Sequence, residues 1–333
     1  MAPPDVFRIV YSPDFPQFPE GGLRFGGWEG LDAPGISREV LPGPPRPEIA
    51  PEQLEGADAL CLYAMKLTEA SLEGADRLKI VARAGVGFDN VPVKALTERG
   101  IIVTNTPETV RRPMASAGLL ALLALAYRLP QKERITRNGE WERFGELAGT
   151  GLTGRTLGVI GAGNIGGEFL RLVEPLEMRR IVYDPFLDRA AAAAGGFELV
   201  ALEDLLEQVD FLCITAPLTD ETHHLLNAER LALMKPTAQI VNISRGPLID
   251  EPALIDALRE GRIAGAHLDV FEQEPVAPEN PLLSMENVNV TPHCLGVSEE
   301  LYVRTNRSVT QSLLDVMAGR VPENALNPEA VAT

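Results

Sequence analysis

Apolar residues along this chain fall into short unbroken runs that alternate with stretches of helical spacing. In the second half, the runs at 157–160, 180–183, 211–215, 239–243, 264–269 and 288–291 read as strands. They lack polar alternation, as expected where a parallel sheet is covered on both faces. Helical spacing at 201–208, 228–234 and 251–260 places crossovers between most of them, and six strands so connected predict a doubly wound sheet. The alanine run at 190–194 reads as a surface helix. Nearer the start the same α/β beat is weaker, with strands at 6–11, 57–63, 79–83 and 101–104, helices at 69–77 and 91–99, and a proline-rich loop at 41–51. The segment 114–128 is apolar on nearly every face and predicts a helix buried between layers. A last long helix at 298–318 is expected to return to the first domain.

Composition narrows the class. A chain of 333 residues suits about two domains. A hydrophobic fraction of 45% and a net charge of −17 describe a globular protein without the basic patches that nucleic acid or an anionic membrane requires, so neither is expected as a partner. The most apolar segment, 114–129, is interrupted by Ser116, Tyr127 and Arg128 and falls short of the ~20 residues of a spanning helix. Cys61, Cys213 and Cys294 are far apart and lack metal-ligand spacing, which predicts reduced thiols, no metal and a cytoplasmic location. The N-terminal MAPPDVFRIVYSPD has no basic region followed by an apolar core, so no signal peptide is expected.

The strand at 157–160 runs into GAGNIG, a G-x-G-x-x-G that opens a helix. Gly161 allows the tight turn, Gly163 lets a pyrophosphate approach the backbone, and Gly166 allows close helix–strand packing. The next strand ends in Asp184, at about the 20-residue spacing where a carboxylate meets the adenosine ribose hydroxyls. A carboxylate there repels a 2′-phosphate, and Pro185 and Phe186 follow in place of an arginine, so NAD(H) is expected over NADP(H).

Ligands of open α/β sheets bind beyond the carboxyl ends of the strands. The chain places Arg245 after one strand end, the carboxylates Asp269, Glu272 and Glu274 after the next, and His293 after the last. That set suits hydride chemistry on a 2-keto acid. Arginine binds the carboxylate and polarises the carbonyl, histidine moves a proton near neutral pH, and a carboxylate orients the imidazole. Glu272 and Glu274 both compete for the last role. His267 reads as a packed histidine and the His223–His224 pair as a surface feature. The Tyr-x-x-x-Lys pair of short-chain dehydrogenases does not occur.

Taken together, ARAGVGFDNV at 82–91, GAGNIG, TAPLTDET at 215–222, NISRG at 242–246, DVFEQEP at 269–275 and TPH at 291–293 resemble one family across nearly the whole chain, the NAD-dependent D-isomer-specific 2-hydroxyacid dehydrogenases. The resemblance implies a Rossmann cofactor domain at 108–297. It also implies a discontinuous, flavodoxin-like substrate domain at 1–107 and 298–333. Arg245 and His293, with Val86 and Gly87 of the other domain, would bind the substrate, and Glu274, the carboxylate before the proline, would support His293. The cofactor would meet Gly161, Gly163, Asn164, Ile165, Gly166, Asp184, Ala216, Pro217, Thr222, Ile243, Ser244, Arg245, Asp269, His293 and Gly296. The implied activity is hydride transfer between NAD(H) and C2 of a 2-hydroxy or 2-keto acid, with glyoxylate- or hydroxypyruvate-like substrates, in a homodimer. The other reading is an NAD(H)-sensing binding protein of the corepressor type. One segment departs from the family pattern. Ser116 stands where a glutamate is expected, and Arg111-Arg112-Pro113 precede it. Pro113 suits a first helical position, with the two arginines either in a solvated turn or reaching an anionic ligand.

Overall fold

Two wholly parallel sheets form, built largely from the apolar runs of the sequence. The computed structural model describes residues 6–17, 22–43 and 47–331, so the first residues of the N-terminal segment and part of the proline-rich loop lie outside it. By Cα proximity the chain divides into two compact units, Met1–Val110 with Val297–Thr333, and Arg111–Gly296.

In the first unit β1 (Phe7–Tyr11), β2 (Ile36–Val40), β3 (Ala59–Leu62), β4 (Ile80–Arg83) and β5 (Ile102–Thr104) stand in the order β2-β1-β3-β4-β5. That is the flavodoxin-like order. β2 is an addition to the expected strands. Its sequence, ISREV, sets Ser37, Arg38 and Glu39 between its two apolar residues and forms an edge, so no apolar run marks it. The helix expected at 69–77 is a 3-10 turn, Ala70–Gly74. The Glu299–Met317 helix is capped by Ser298, whose Oγ accepts from the Leu301 amide at 3.2 Å. It buries Val309 and Leu313 in a cluster with Ile9, Tyr11 and Ile80.

In the second unit β6 (Thr156–Ile160), β7 (Arg179–Tyr183), β8 (Glu198–Leu199), β9 (Phe211–Ile214), β10 (Gln239–Asn242), β11 (Gly265–Leu268) and β12 (Val288–Val290) stand in the order β12-β11-β10-β9-β6-β7-β8. The sheet has seven strands where six were expected, because β8 is too short to carry a hydrophobic pattern. Strand order reverses at β6, the switch point where doubly wound sheets open a crevice for a ligand. Phe169, fully buried on the Asn164–Val173 helix, fills the core beside Leu157, Val159 and Phe211.

The apolar helix spans Pro107–Ala126, starting well before the expected position and holding Pro113 inside it. Proline there removes one backbone hydrogen bond. Burial of Ala115, Ala121, Leu122 and Leu125 carries the helix onward. Its 20 residues are long and apolar enough to cross a membrane by length and composition, contrary to the shorter span read from sequence, and half of the apolar window is buried inside the protein. Arg111 and Arg112 are therefore helical. Arg112 Nη1 donates to Glu168 Oε1 at 2.8 Å, Arg171 Nη2 donates to the same oxygen at 2.7 Å, and Arg111 lies 3.7 Å from Oε2. Glu168 is buried, and the hydrogen bonds from Arg171 and Arg112 outweigh its desolvation and hold its carboxyl down at about 2.

Candidate active site

The glycine turn follows β6 directly. Gly161 has φ +86°, and a Cβ there would stand 2.7 Å from the Ala216 backbone nitrogen. A Cβ on Gly166 would lie 2.1 Å from the Gly161 carbonyl oxygen and 2.6 Å from Thr215 Oγ1, so any side chain would lift the helix off the turn. Gly163 caps the Asn164–Val173 helix and faces open space, with nothing within 4 Å of where its Cβ would be. Uncovered amides at a helix N-terminus form a cradle for an anion, and a phosphate fits one that begins in glycine. Asn164 opens the helix at the surface and Ile165 packs partly into the core. Asp184, just past β7, accepts from the Ala162 amide at 2.8 Å and the Phe186 amide at 2.9 Å, which seats its carboxylate beside the glycine turn.

The loops after β9 and β10 are tied together. Thr222 Oγ1 donates to the Pro217 carbonyl at 2.7 Å, and Ser244 Oγ donates to the Ala216 carbonyl. The Ile243 side chain is core, 6% exposed, so toward the crevice it can offer backbone only. Asn242 shapes the next turn by donating from Nδ2 to the Arg245 carbonyl at 2.9 Å and accepting from the Ser244 amide at 3.0 Å. Arg245, half-buried, donates from Nη1 to the Ser244 carbonyl at 2.8 Å.

Asp269 organises the segment that carries the histidine. It is 1% exposed, and its Oδ1 accepts from Thr291 Oγ1 at 2.6 Å, the Cys294 amide at 3.0 Å and the Leu295 amide at 3.1 Å. Its backbone carbonyl accepts from the His293 amide at 2.8 Å. Burial pushes its carboxyl above the ordinary value against those hydrogen bonds. His293 adopts a left-handed backbone, φ +52°, and its Nδ1 lies 2.7 Å from Glu274 Oε2. The Phe271 amide donates to Glu274 Oε1 at 3.0 Å. Desolvation is the largest single influence on Glu274 and raises it. The His293 hydrogen bond and charge, the Phe271 amide and the Arg245 charge together win and leave the carboxyl below its ordinary value. An ionised carboxylate only accepts, so Nδ1 carries the proton and Nε2 is the ring nitrogen left to exchange one.

Of the two competing carboxylates, Glu274 reaches His293 and Glu272 reaches His224, at 2.6 Å between Oε1 and Nε2. His224 is thus half-buried and paired, where a surface pair was expected. Gly296 abuts Met114, whose Sδ would lie 2.4 Å from an added Cβ. Val86 and Gly87 belong to the first unit, just beyond the carboxyl end of β4, where Asn105 Nδ2 donates to the Val86 carbonyl at 2.8 Å. Sequence reasoning passed over Thr291 and Asn242. Their signal was their place in motifs already singled out, TPH and NISRG. Among the described residues no group of three or more metal-ligating side chains occurs.

The family described as the D-isomer specific 2-hydroxyacid dehydrogenase, NAD binding domain, matches residues 119–294. The glyoxylate reductase of Korarchaeum cryptofilum is 40% identical over 292 residues, covering 86% of this chain and 88% of that protein. The solved TT0316 protein from Thermus thermophilus superposes with a TM-score of 0.87 at 33% identity, covering 96% of this chain and 100% of that one. An NADPH-dependent glyoxylate/hydroxypyruvate reductase from Sinorhizobium meliloti, solved with NADP and malonate, gives a TM-score of 0.80 at 29% identity, covering 97% of each chain. The resemblance carried by the motifs therefore holds, and the chain belongs to the D-isomer specific 2-hydroxyacid dehydrogenases, oxidoreductases that use a nicotinamide cofactor to interconvert 2-keto and 2-hydroxy acids.

Proposed function

We propose that the chain is an NADH-dependent reductase of small 2-keto acids, forming the D-2-hydroxy acid, with glyoxylate- and hydroxypyruvate-like compounds as substrates. The observation that carries it is the His293–Glu274 pair, held at the carboxyl edge of the sheet by the buried Asp269 and within the field of Arg245. Arg245 binds the substrate carboxylate and polarises the carbonyl through a planar guanidinium. His293 delivers the proton from Nε2 to the carbonyl oxygen, and Glu274 stabilises the imidazolium and sets its tautomer. The bound nicotinamide supplies the hydride to C2. The second unit holds the cofactor, through the cradle at Gly163, Asp184 on the ribose and Asp269 beside the nicotinamide amide. Asp184 supports NAD(H) over NADP(H), since its charge opposes a 2′-phosphate.

Supporting the substrate class are a relative named glyoxylate reductase and a neighbour named as a glyoxylate/hydroxypyruvate reductase. A homodimer in the cytoplasm completes the reading. Exposed Trp141, Phe144 and Leu129 supply apolar surface for a second copy to cover. The test is NADH oxidation across glyoxylate, hydroxypyruvate, pyruvate, phenylpyruvate and bulkier 2-keto acids, with the stereochemistry of each product determined. Turnover of the small acids to D products is expected. An absence of turnover across the panel, or L products, would overturn the reading.

A further inference from the structure

Beyond the groups that touch substrate, a second histidine–carboxylate pair draws its carboxylate, Glu272, from the same loop as Glu274. His224 lies in the connection after β9, with a left-handed backbone at φ +49°. Its amide donates to the Pro247 carbonyl at 2.7 Å, and two residues on, the Leu226 amide donates to the Leu248 carbonyl at 3.0 Å. The loop after β9 thus runs beside the one that carries Arg245. The His224 ring crosses to the loop after β11, where Nε2 meets Glu272 Oε1 at 2.6 Å. Glu272 is fixed again by exchange with the Glu251–Arg259 helix. Its amide donates to Glu251 Oε2 at 3.1 Å, and the Glu251 amide donates to Glu272 Oε1 at 3.3 Å. Glu251 Oε1 in turn accepts from Asn280 Nδ2 at 2.6 Å. A Cβ on Gly246 would fall 1.9 Å from the Phe271 carbonyl group, so the Arg245 and Glu274 loops touch backbone to backbone. Residues 272 and 274 therefore divide the labour. One ties the loop to its neighbours, and the other presents a carboxylate to His293.

We infer that His224 and Glu272 are positioning residues for the reductase reaction, locking the loops after β9, β10 and β11 into one body so that Arg245 and Glu274 keep a fixed separation. This rests on the proposed roles of Arg245, Glu274 and His293. A hydrogen bond that fixes geometry is worth most where a misplacement of an ångström costs a large factor in rate.

The experiment compares Glu272→Ala, Glu272→Gln, His224→Ala and the double alanine variant with wild type and His293→Ala. It reads NADH affinity by fluorescence titration and kcat and KM for the best 2-keto acid. Each single alanine variant should lose about tenfold in kcat with NADH affinity within about twofold of wild type. The double variant should lose no more than Glu272→Ala alone, because the alanine at 272 already removes the contact that His224 makes. Glu272→Gln keeps an acceptor for His224 and should recover most of the rate. Multiplying losses in the double variant, or single variants with wild-type kcat beside an inactive His293→Ala, would overturn the inference. So would loss of NADH binding in the single variants, which would mark the pair as part of the fold rather than of the site's geometry. A fully active His293→Ala would instead bring down the proposed function.

Discussion

His293 Nδ1 lies 2.7 Å from Glu274 Oε2, and the same histidine takes its backbone position from the buried Asp269. Ring and main chain are thus held by different carboxylate residues. Glu274→Gln keeps the shape of the contact and removes its charge. We expect kcat for 2-keto acid reduction to fall about 10²-fold, within the range of positioned acid–base catalysis, while NADH affinity stays within about twofold. Single-turnover measurements beside a fluorescence titration separate the two. Because Glu274 sits below its ordinary value, wild type keeps this charge throughout the neutral range.

Asp184 accepts hydrogen bonds from the Ala162 and Phe186 amides beside the glycine turn. Replacing it by alanine should lower kcat/KM with NADH about ten- to a hundredfold, the worth of charged hydrogen bonds to the ribose, and raise it with NADPH. Equal losses with both cofactors would show that the carboxylate serves only the loop.

Phe169 is fully buried between the sheet and the Pro107–Ala126 helix, close to Gly118 and Ile243. Phe169→Ala should destabilise the protein by about 3–5 kcal/mol, the usual cost of a large-to-small change in a packed core. Urea unfolding at neutral pH, with the slope compared with wild type, measures this directly.

His267 on β11 is 5% exposed, and neither ring nitrogen has a hydrogen-bond partner. Burial lowers its pKa to about 4 from 6.5. The sign follows from the unfolded chain binding a proton that the folded protein refuses. Stability is therefore full above about pH 6.5 and declines as pH falls toward 4, by up to about 3 kcal/mol. Denaturation at pH 7 and pH 5 should show the loss, and His267→Leu should flatten this part of the pH dependence.

Much of this architecture can be read from the residues alone, and the exceptions have physical causes. Buried parallel strands announce themselves as apolar runs, so β6, β7, β9, β10, β11 and β12 were all legible. β8 has two residues and β2 holds Ser37, Arg38 and Glu39 at a sheet edge, so neither shows a buried run. Pro113 marked a helix start by its chemistry, yet tertiary burial of the alanines and leucines after it lets the helix begin at Pro107. The ends of the sheet strands located Arg245, Asp269, Glu274 and His293. Spacing could not say which of Glu272 and Glu274 meets which histidine, because the partners are chosen by the path of a bent loop that follows neither a helical nor a strand period. Nor could composition show that Arg111 and Arg112 close on a buried glutamate from another helix.

The brevity of β8 bears on how these molecules behave in a crowd. A long unpaired edge offers a row of free amides and carbonyls on which another chain can add itself as a strand. Here the seven-stranded sheet ends in two residues on one side and three on the other, and the Glu198 carboxylate of the shorter edge is clasped by Arg179 at 2.8 Å. Neither border is long enough to seed a growing ribbon, so a parallel sheet rich in valine and isoleucine is kept from templating fibres.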